Sequence, residues 1–253
     1  MKLHFGLNED LLKYGIKQEI TVDTYKNAIA LLQGGTGSGK TYALKRLLAY
    51  CELDLERSKE NGCIYLLDYK GDDTFTKMHS CVHYFSFDKC LDGLNEYYSI
   101  LLSRQNGDPD RSFCMLVWDE YASYLESLPD KKTENEVKAK VATLVMLQRS
   151  FHMATVFCLQ AGYSETFNKI RGNISAILTM GHLTRELKTM FYSSVADEID
   201  QDKLQGQGSL LIDGCQLYNI VIPKITDTEK LDNYIVKLLN RKLDSNNDPP
   251  PAA

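Results

Sequence analysis

The stretch Leu31–Leu48, LLQGGTGSGKTYALKRLL, decides the fold. It opens on the end of an apolar run, passes through four glycines and continues from Lys40 in a helix-like pattern. Gly34-x-x-x-x-Gly39-Lys40-Thr41 fits the phosphate-loop pattern G-x-x-x-x-G-K-[ST] without a mismatch. Glycines let backbone N–H groups converge on phosphate oxygens, and the start of the following helix adds a favourable dipole field. The nucleotide-binding set expected here is Gly34, Gly35, Thr36, Gly37, Ser38, Gly39, Lys40, Thr41 and Tyr42. Lys40 is expected to reach the β- and γ-phosphates of ATP, and Thr41 to place its hydroxyl on Mg²⁺. Such a loop serves kinases, GTPases, transporters and motors alike, so its neighbours must say which.

Outward from the loop, short apolar runs alternate with helical patterns. Strands are expected at Ala28–Leu32, Cys63–Leu67, His83–Phe87, Cys114–Trp118, Thr155–Leu159 and Ala176–Met180. They lack strict apolar–polar alternation, which suits strands buried on both faces of a parallel sheet. Helices are expected at Lys40–Lys59, Lys89–Arg104, Glu134–Phe151 and Thr226–Lys242. The alternation predicts a doubly wound, mostly parallel α/β domain. Antiparallel hairpins are expected at its periphery. One is Gly208–Ile222, where Asp-Gly separates two apolar runs, and another lies within Leu3–Val22. The domain is expected to cover residues 1–243, and residues 244–253, DSNNDPPPAA, to form a disordered proline-rich tail.

Two further segments carry chemistry. In CMLVWDEYASYL, Cys114–Leu125, an apolar strand ends in Asp119-Glu120. A strand delivering an acid at its carboxyl end is how a Walker B motif reaches Mg²⁺, and an adjacent glutamate can polarise an attacking water. A small-molecule kinase need not activate water, so the pair favours ATP hydrolysis. In VFCLQ, Val156–Gln160, a strand ends in an amide. In NTPases with an extra strand between the two Walker strands, that position senses the γ-phosphate. The expected catalytic set is therefore Lys40, Glu120 and Gln160, with Thr41 and Asp119 as Mg²⁺ ligands.

Bulk properties narrow the class. The chain has 253 residues, of which 43% are hydrophobic and 25% charged, ordinary for a globular protein. No apolar stretch reaches the ~18 residues of a membrane span, and no secretory signal is visible, so a cytoplasmic protein is expected. Seven cysteines without a C-x-x-C pair read as reduced core thiols. A net charge of -5 argues against a generally basic nucleic-acid coat but leaves room for a local basic surface.

Taken in order, the motifs resemble those of the FtsK/HerA superfamily of ring-forming motor ATPases, in particular its FtsK/SpoIIIE and conjugative coupling-protein (TcpA-like) branch. The residues that carry the likeness are GGTGSGKT (Gly34–Thr41), DYKGDD (Asp68–Asp73), MLVWDEYASYL (Met115–Leu125), QRSFHMATVFCLQ (Gln148–Gln160), IRGNI (Ile170–Ile174) and GQGSLLI (Gly206–Ile212). The resemblance implies a RecA-like P-loop NTPase fold of the additional-strand, catalytic-glutamate kind. It implies that Arg149 is an arginine finger entering a neighbouring subunit's site, and hence a homo-oligomer, by analogy a hexameric ring. It also implies pore loops that contact DNA through Lys169, Arg171, Arg185 and Lys188. The pattern departs from the family at Ala161-Gly162, where many relatives carry Arg-Pro, and at DYKG, where they carry DPKG. No membrane anchor or winged-helix domain is visible, so a bare motor domain without membrane insertion is expected.

Three functions stay open on the sequence. The first is a ring motor that hydrolyses ATP and translocates double- or single-stranded DNA in mobile-element or plasmid transfer, partition or replication, recruited by a relaxase, replication or membrane-channel protein. The second is a viral genome-packaging, virion-assembly or secretion ATPase of the same superfamily. The third is a nucleotide-dependent adaptor with slow turnover, which Asp119-Glu120 and Arg149 disfavour.

Overall fold

A computed structural model describes residues 1–71, 73–160, 167 and 170–243. Among them a single ten-stranded sheet organises the chain. Its strands are β1 (Lys2–Asn8), β2 (Glu19–Asp23), β3 (Ile29–Gly34), β4 (Gly62–Asp68), β5 (Tyr84–Ser86), β6 (Phe113–Asp119), β7 (Met153–Leu159), β8 (Ala176–Met180), β9 (Gln207–Ile212) and β10 (Gln216–Val221). They lie in the order β2-β1-β10-β9-β8-β3-β7-β6-β4-β5. From β8 to β5 every neighbouring pair is parallel, and from β8 to β2 every pair is antiparallel. The fold is thus the mostly parallel α/β sheet with antiparallel peripheral strands that the alternating pattern predicts.

Continuous apolar runs form the parallel strands because both faces are covered. All residues of β3, β4, β6, β7 and β8 are buried. Alternate side chains point to opposite faces. Leu32, Ile64, Leu66, Met115 and Val117 pack with Leu44, Leu47 and Leu48 of α2 (Lys40–Ser58) and with Ile235 and Leu238 of a C-terminal helix, Thr228–Leu239. Leu31, Tyr65, Leu67, Leu116 and Trp118 face the other way. They meet Leu94, Tyr97 and Leu101 of α3 (Cys90–Gln105) and Val137, Val141 and Leu144 of a helix at Lys131–Leu147. With α1 (Glu9–Leu12), α4 (Tyr121–Ser127) and α6 (Arg185–Phe191), these two helices complete the set as α5 (Lys131–Leu147) and α7 (Thr228–Leu239).

Several boundaries differ from the sequence expectation for local reasons. The strand expected at His83–Phe87 shrinks to three residues, since Phe87 takes a positive φ of 54° and opens a 3-10 turn. The helix expected at Glu134–Phe151 begins earlier, at Lys131, because the Asp130 carboxylate caps the Thr133 N–H. It ends at Leu147, because Gln148 turns inward to donate to the Ala28 carbonyl and accept from the Thr155 hydroxyl. α4 and α6 were not expected. Seven residues each are too few for a helical period to stand out. Both antiparallel hairpins are present, and Asp213 and Gly214 at the β9–β10 turn take φ of 50° and 69°.

All seven cysteines are free thiols, and six are buried, with Cys215 exposed. Burial pushes the thiols of Cys51, Cys90 and Cys158 up, as inert core cysteines require. No helix among the described residues is long and apolar enough to cross a membrane.

The end of the described chain is pinned by a buried charge. Glu52 of α2 has a fully buried side chain, clamped by Arg241 through Nε at 2.5 Å and Nη2 at 2.9 Å. Lys237 Nζ approaches the same carboxylate at 3.4 Å. Removing one partner of a buried pair usually costs ~3–5 kcal/mol. Because Lys237 remains, Arg241→Ala is expected to destabilise the protein by about 2 kcal/mol, measured by urea denaturation.

Candidate functional site

β3 ends at Gly34, and the chain turns through residues 35–39 into α2, so the glycine loop sits at the carboxyl ends of the parallel strands. No side chain caps α2 at Gly39, and its first-turn N–H groups can therefore serve a ligand. Gly39 holds φ 98°, a conformation that favours glycine. Gly34 is required for a different reason: a Cβ there would lie 2.6 Å from Ser38 Oγ and 2.7 Å from the Met180 carbonyl oxygen. The loop folds on itself through Ser38 N–H donating to the Gly35 carbonyl, and the Ser38 carbonyl accepts from Gly206 N–H at 2.9 Å. GQGSLLI thereby supports the loop from β9. Ser38 Oγ is buried and has no protein partner.

Lys40 is the hub. Its side chain is 7% exposed, and Nζ donates to Asp119 Oδ1 at 3.1 Å and Glu120 Oε1 at 2.7 Å. Burial alone would pull the Lys40 ammonium down, but Asp119 and Glu120 outweigh it and hold the ammonium above its ordinary value. Asp119 is pushed up, first by burial, with Glu120 and Asp68 adding repulsion against the pull of Lys40. Asp68 ends β4 directly beside Asp119 in the strand register. Glu120 reaches Lys40 because its backbone takes the left-handed region, φ 58° and ψ 41°. That conformation costs a non-glycine residue about 1 kcal/mol and is found where a side chain must be aimed.

The strand order brings the third residue in. β7 lies between the glycine-loop strand β3 and the Asp119-bearing strand β6. Gln33 pairs with Leu159, and Asp119 with Cys158. One residue beyond Leu159, Gln160 leaves the sheet level with Gly34 of β3 and one step past the level of Glu120. On the β8 side of the loop lies a cavity of about 490 Å³, lined by residues 34–38, Gln160, Gly181, His182, Thr184, Glu186, Leu187, Lys203 and Gln205. Its size falls in the ~300–1,000 Å³ range of small-molecule sites. The carboxylates sit on the opposite, β6 side.

These residues fit ATP and Mg²⁺ in kind. The glycine loop offers uncapped N–H groups. Asp119 and Thr41, the latter half-buried at the start of α2, offer hard oxygen ligands. Three crowded carboxylates, Asp68, Asp119 and Glu120, outnumber the ammonium groups of Lys40 and Lys70 beside them, an imbalance that a divalent cation offsets. No cluster of three or more His, Cys, Asp or Glu among the described residues is arranged to hold a metal alone. Magnesium in such a site takes one or two carboxylates, with phosphate and water completing the shell.

The other expected residues are dispersed. The Tyr42 hydroxyl donates to the Ile225 carbonyl and also accepts from the Ile225 N–H, so it serves packing of the C-terminal segment. Arg149 is exposed in the turn before β7, at the end of the sheet away from the glycine loop. Arg171 and Arg185 are exposed and Lys188 half-buried. Lys169 and the Ala161-Gly162 departure lie outside the described residues, as does the segment 244–253. The segment Gly181–Lys188, which carries the expected pore-loop residues Arg185 and Lys188, also furnishes one wall of the cavity. Lys203, Gln205, His182 and Thr184 were missed. The GQGSLLI motif beside Gln205 pointed to that wall, but only the sheet shows which loop it faces.

No protein-family model and no curated protein matches the chain. Solved structures do. The cytoplasmic domain of the Type VII secretion ATPase EccC from Thermomonospora curvata aligns at 18% identity and TM-score 0.64, over 94% of this chain and 31% of that one. The pCW3 conjugation coupling protein TcpA, in a monomer form with ATPγS, aligns at 17% identity and TM-score 0.67, over 94% and 70%. The genome packaging NTPase B204 of Sulfolobus turreted icosahedral virus 2, in complex with ATPγS, aligns at 14% identity and TM-score 0.52, over 80% and 100%. The chain thus spans about a third of the EccC chain it matches. It shares the fold of these proteins.

Because the atoms facing Gly34 are a backbone carbonyl and a buried serine, Gly34→Ala cannot be relieved by a side-chain swing alone. It is expected to cost ~1–3 kcal/mol of stability, read by thermal and urea denaturation.

Proposed function

We propose that this chain hydrolyses ATP and is a subunit of a ring motor: Lys40 and the glycine loop bind phosphate, Thr41 and Asp119 hold Mg²⁺, Glu120 activates water and Gln160 senses the γ-phosphate. The observation that carries this reading is the buried Lys40–Asp119–Glu120 cluster at the mouth of an uncapped helix. In this reading nucleotide draws Lys40 onto its phosphates, and Glu120 becomes free to orient water. The cavity beside the loop takes the ribose and base.

The position of Arg149 supports a shared site. β7 has seven residues, and at ~3.3 Å per residue it separates Arg149 from the glycine-loop end by roughly 20 Å. The guanidinium cannot span that distance, so a finger role requires a second subunit. The cargo proposed is DNA, contacted by Arg171, Arg185 and Lys188 through phosphates, with weak dependence on base sequence and strong dependence on salt. The net charge of -5 favours a second cargo class, a protein, as for a secretion ATPase.

Glu120→Gln is expected to lower kcat by about 10²–10⁴-fold while ATPγS still binds. Retained hydrolysis would remove Glu120 from the mechanism. Lys40→Ala subunits mixed with Arg149→Ala subunits are expected to recover part of the activity that each lacks alone, since some interfaces then join an intact site to an intact finger. No recovery at ring-forming concentration contradicts the shared site. ATPase rates at low salt are expected to rise with duplex or single-stranded DNA. Absence of stimulation by either contradicts the DNA cargo.

A further inference from the structure

We propose that Lys70 is a positioning residue that keeps Glu120 in place when Lys40 turns to a phosphate. This rests on the reading of Glu120 as the water-activating group. Two ammonium groups converge on one oxygen: Lys40 Nζ lies 2.7 Å and Lys70 Nζ 3.4 Å from Glu120 Oε1. Among the described residues, the other carboxylate oxygen has only a long contact, 3.5 Å from Ser123 Oγ. The Glu120 side chain is 5% exposed. If nucleotide recruits Lys40, a buried carboxylate loses its nearest cation beside incoming phosphate charge, which is costly unless another donor replaces it.

Lys70 is built to be that donor. The DYKG turn crosses from the end of β4 to the end of β6 and is tied at both sides. Asp68 Oδ1 accepts from Gly71 N–H at 3.0 Å, and Asp68 Oδ2 from the Tyr84 hydroxyl at 2.7 Å. Tyr69 N–H donates to the Asp119 carbonyl at 3.4 Å, and the Tyr69 ring meets Tyr124 edge-on at 5.6 Å. The backbone under Lys70 is therefore anchored to the same strand end that presents Glu120. Its side chain, 40% exposed, keeps room to close the last few tenths of an ångström. Lys40 and Lys70 thus hand Glu120 from one cation to the other. The carboxylate stays charged and aimed while the glycine-loop lysine is occupied.

The test compares steady-state ATPase kinetics and ATPγS affinity in the full chain, its Lys70→Ala and Lys70→Arg variants, Glu120→Gln and the double variant. Misplacing a catalytic group by about 1 Å costs up to ~10²-fold, so Lys70→Ala is expected to lower kcat by about 10–10²-fold. KM and ATPγS affinity are expected to stay within about threefold, the pattern of an interaction made only on the way to the transition state. Lys70→Arg, which keeps the charge, is expected to recover most of kcat. In the Glu120→Gln background, Lys70→Ala is expected to add no further loss. An unchanged or increased kcat in Lys70→Ala overturns the proposal. So does a loss confined to KM and ATPγS affinity, which makes Lys70 a phosphate ligand, or an additive loss in the double variant. If the wild-type chain does not hydrolyse ATP, or hydrolyses it as well with Glu120→Gln, the reading of Glu120 itself fails and the proposal with it. If Glu120→Gln abolishes turnover while Lys70→Ala does not, only the role of Lys70 fails.

Discussion

The structure turns on a buried ammonium between two carboxylates. Lys40 starts α2, Asp119 ends β6 and Glu120 begins the turn into α4, and their contact joins two units of the parallel sheet across the intervening β7. An ion pair this deep is not a cheap source of stability, because desolvation offsets most of its Coulomb energy. Its presence, together with the left-handed backbone of Glu120, marks a place where local preference yields to a site. The surrounding architecture supplies rigidity. Strands buried on both faces hold their carboxyl ends in register, and Gly206, donating to the Ser38 carbonyl, and Met180 brace the glycine loop from the β8–β9 side.

Much of this was legible in the sequence because its determinants are local. The glycine spacing around Lys40, the apolar run ending in Asp119-Glu120 and the strand ending in Gln160 each carry their own pattern, and the strands lie within a few residues of the expected positions. Less legible were features decided by distance in the chain. The insertion of β7 between β3 and β6, which brings Gln160 out at the same end of the sheet as Gly34 and Glu120, is topology. The pairing of Lys70 with Glu120 and the wall formed by His182, Thr184, Lys203 and Gln205 depend on how strand ends meet. Taken alone, DYKGDD is also the pattern of a charged surface turn. Only the tie between Asp68 and Gly71, with Tyr69 held on Asp119, turns Lys70 toward the site. Gln148 closed α5 early by a side-chain bond to a backbone 120 residues away, which no helical period records.

The glycine-loop site and the exposed arginines differ in how strongly the structure constrains them. Around Lys40 the charged side chains of Asp119 and Glu120 are buried and paired with it, and the fold is shared with proteins of secretion, conjugation and genome packaging. Arg149, Arg171 and Arg185 are exposed, and their chemistry depends on what approaches them.

The most direct measurement of the central claim is a crystal structure of the chain with Mg²⁺ and ATPγS. The account predicts Lys40 Nζ within hydrogen-bond distance of the β- and γ-phosphate oxygens and withdrawn from Glu120, with Lys70 closed onto the Glu120 carboxylate. Nucleotide bound at the glycine loop with Lys40 still seated between Asp119 and Glu120 would contradict it.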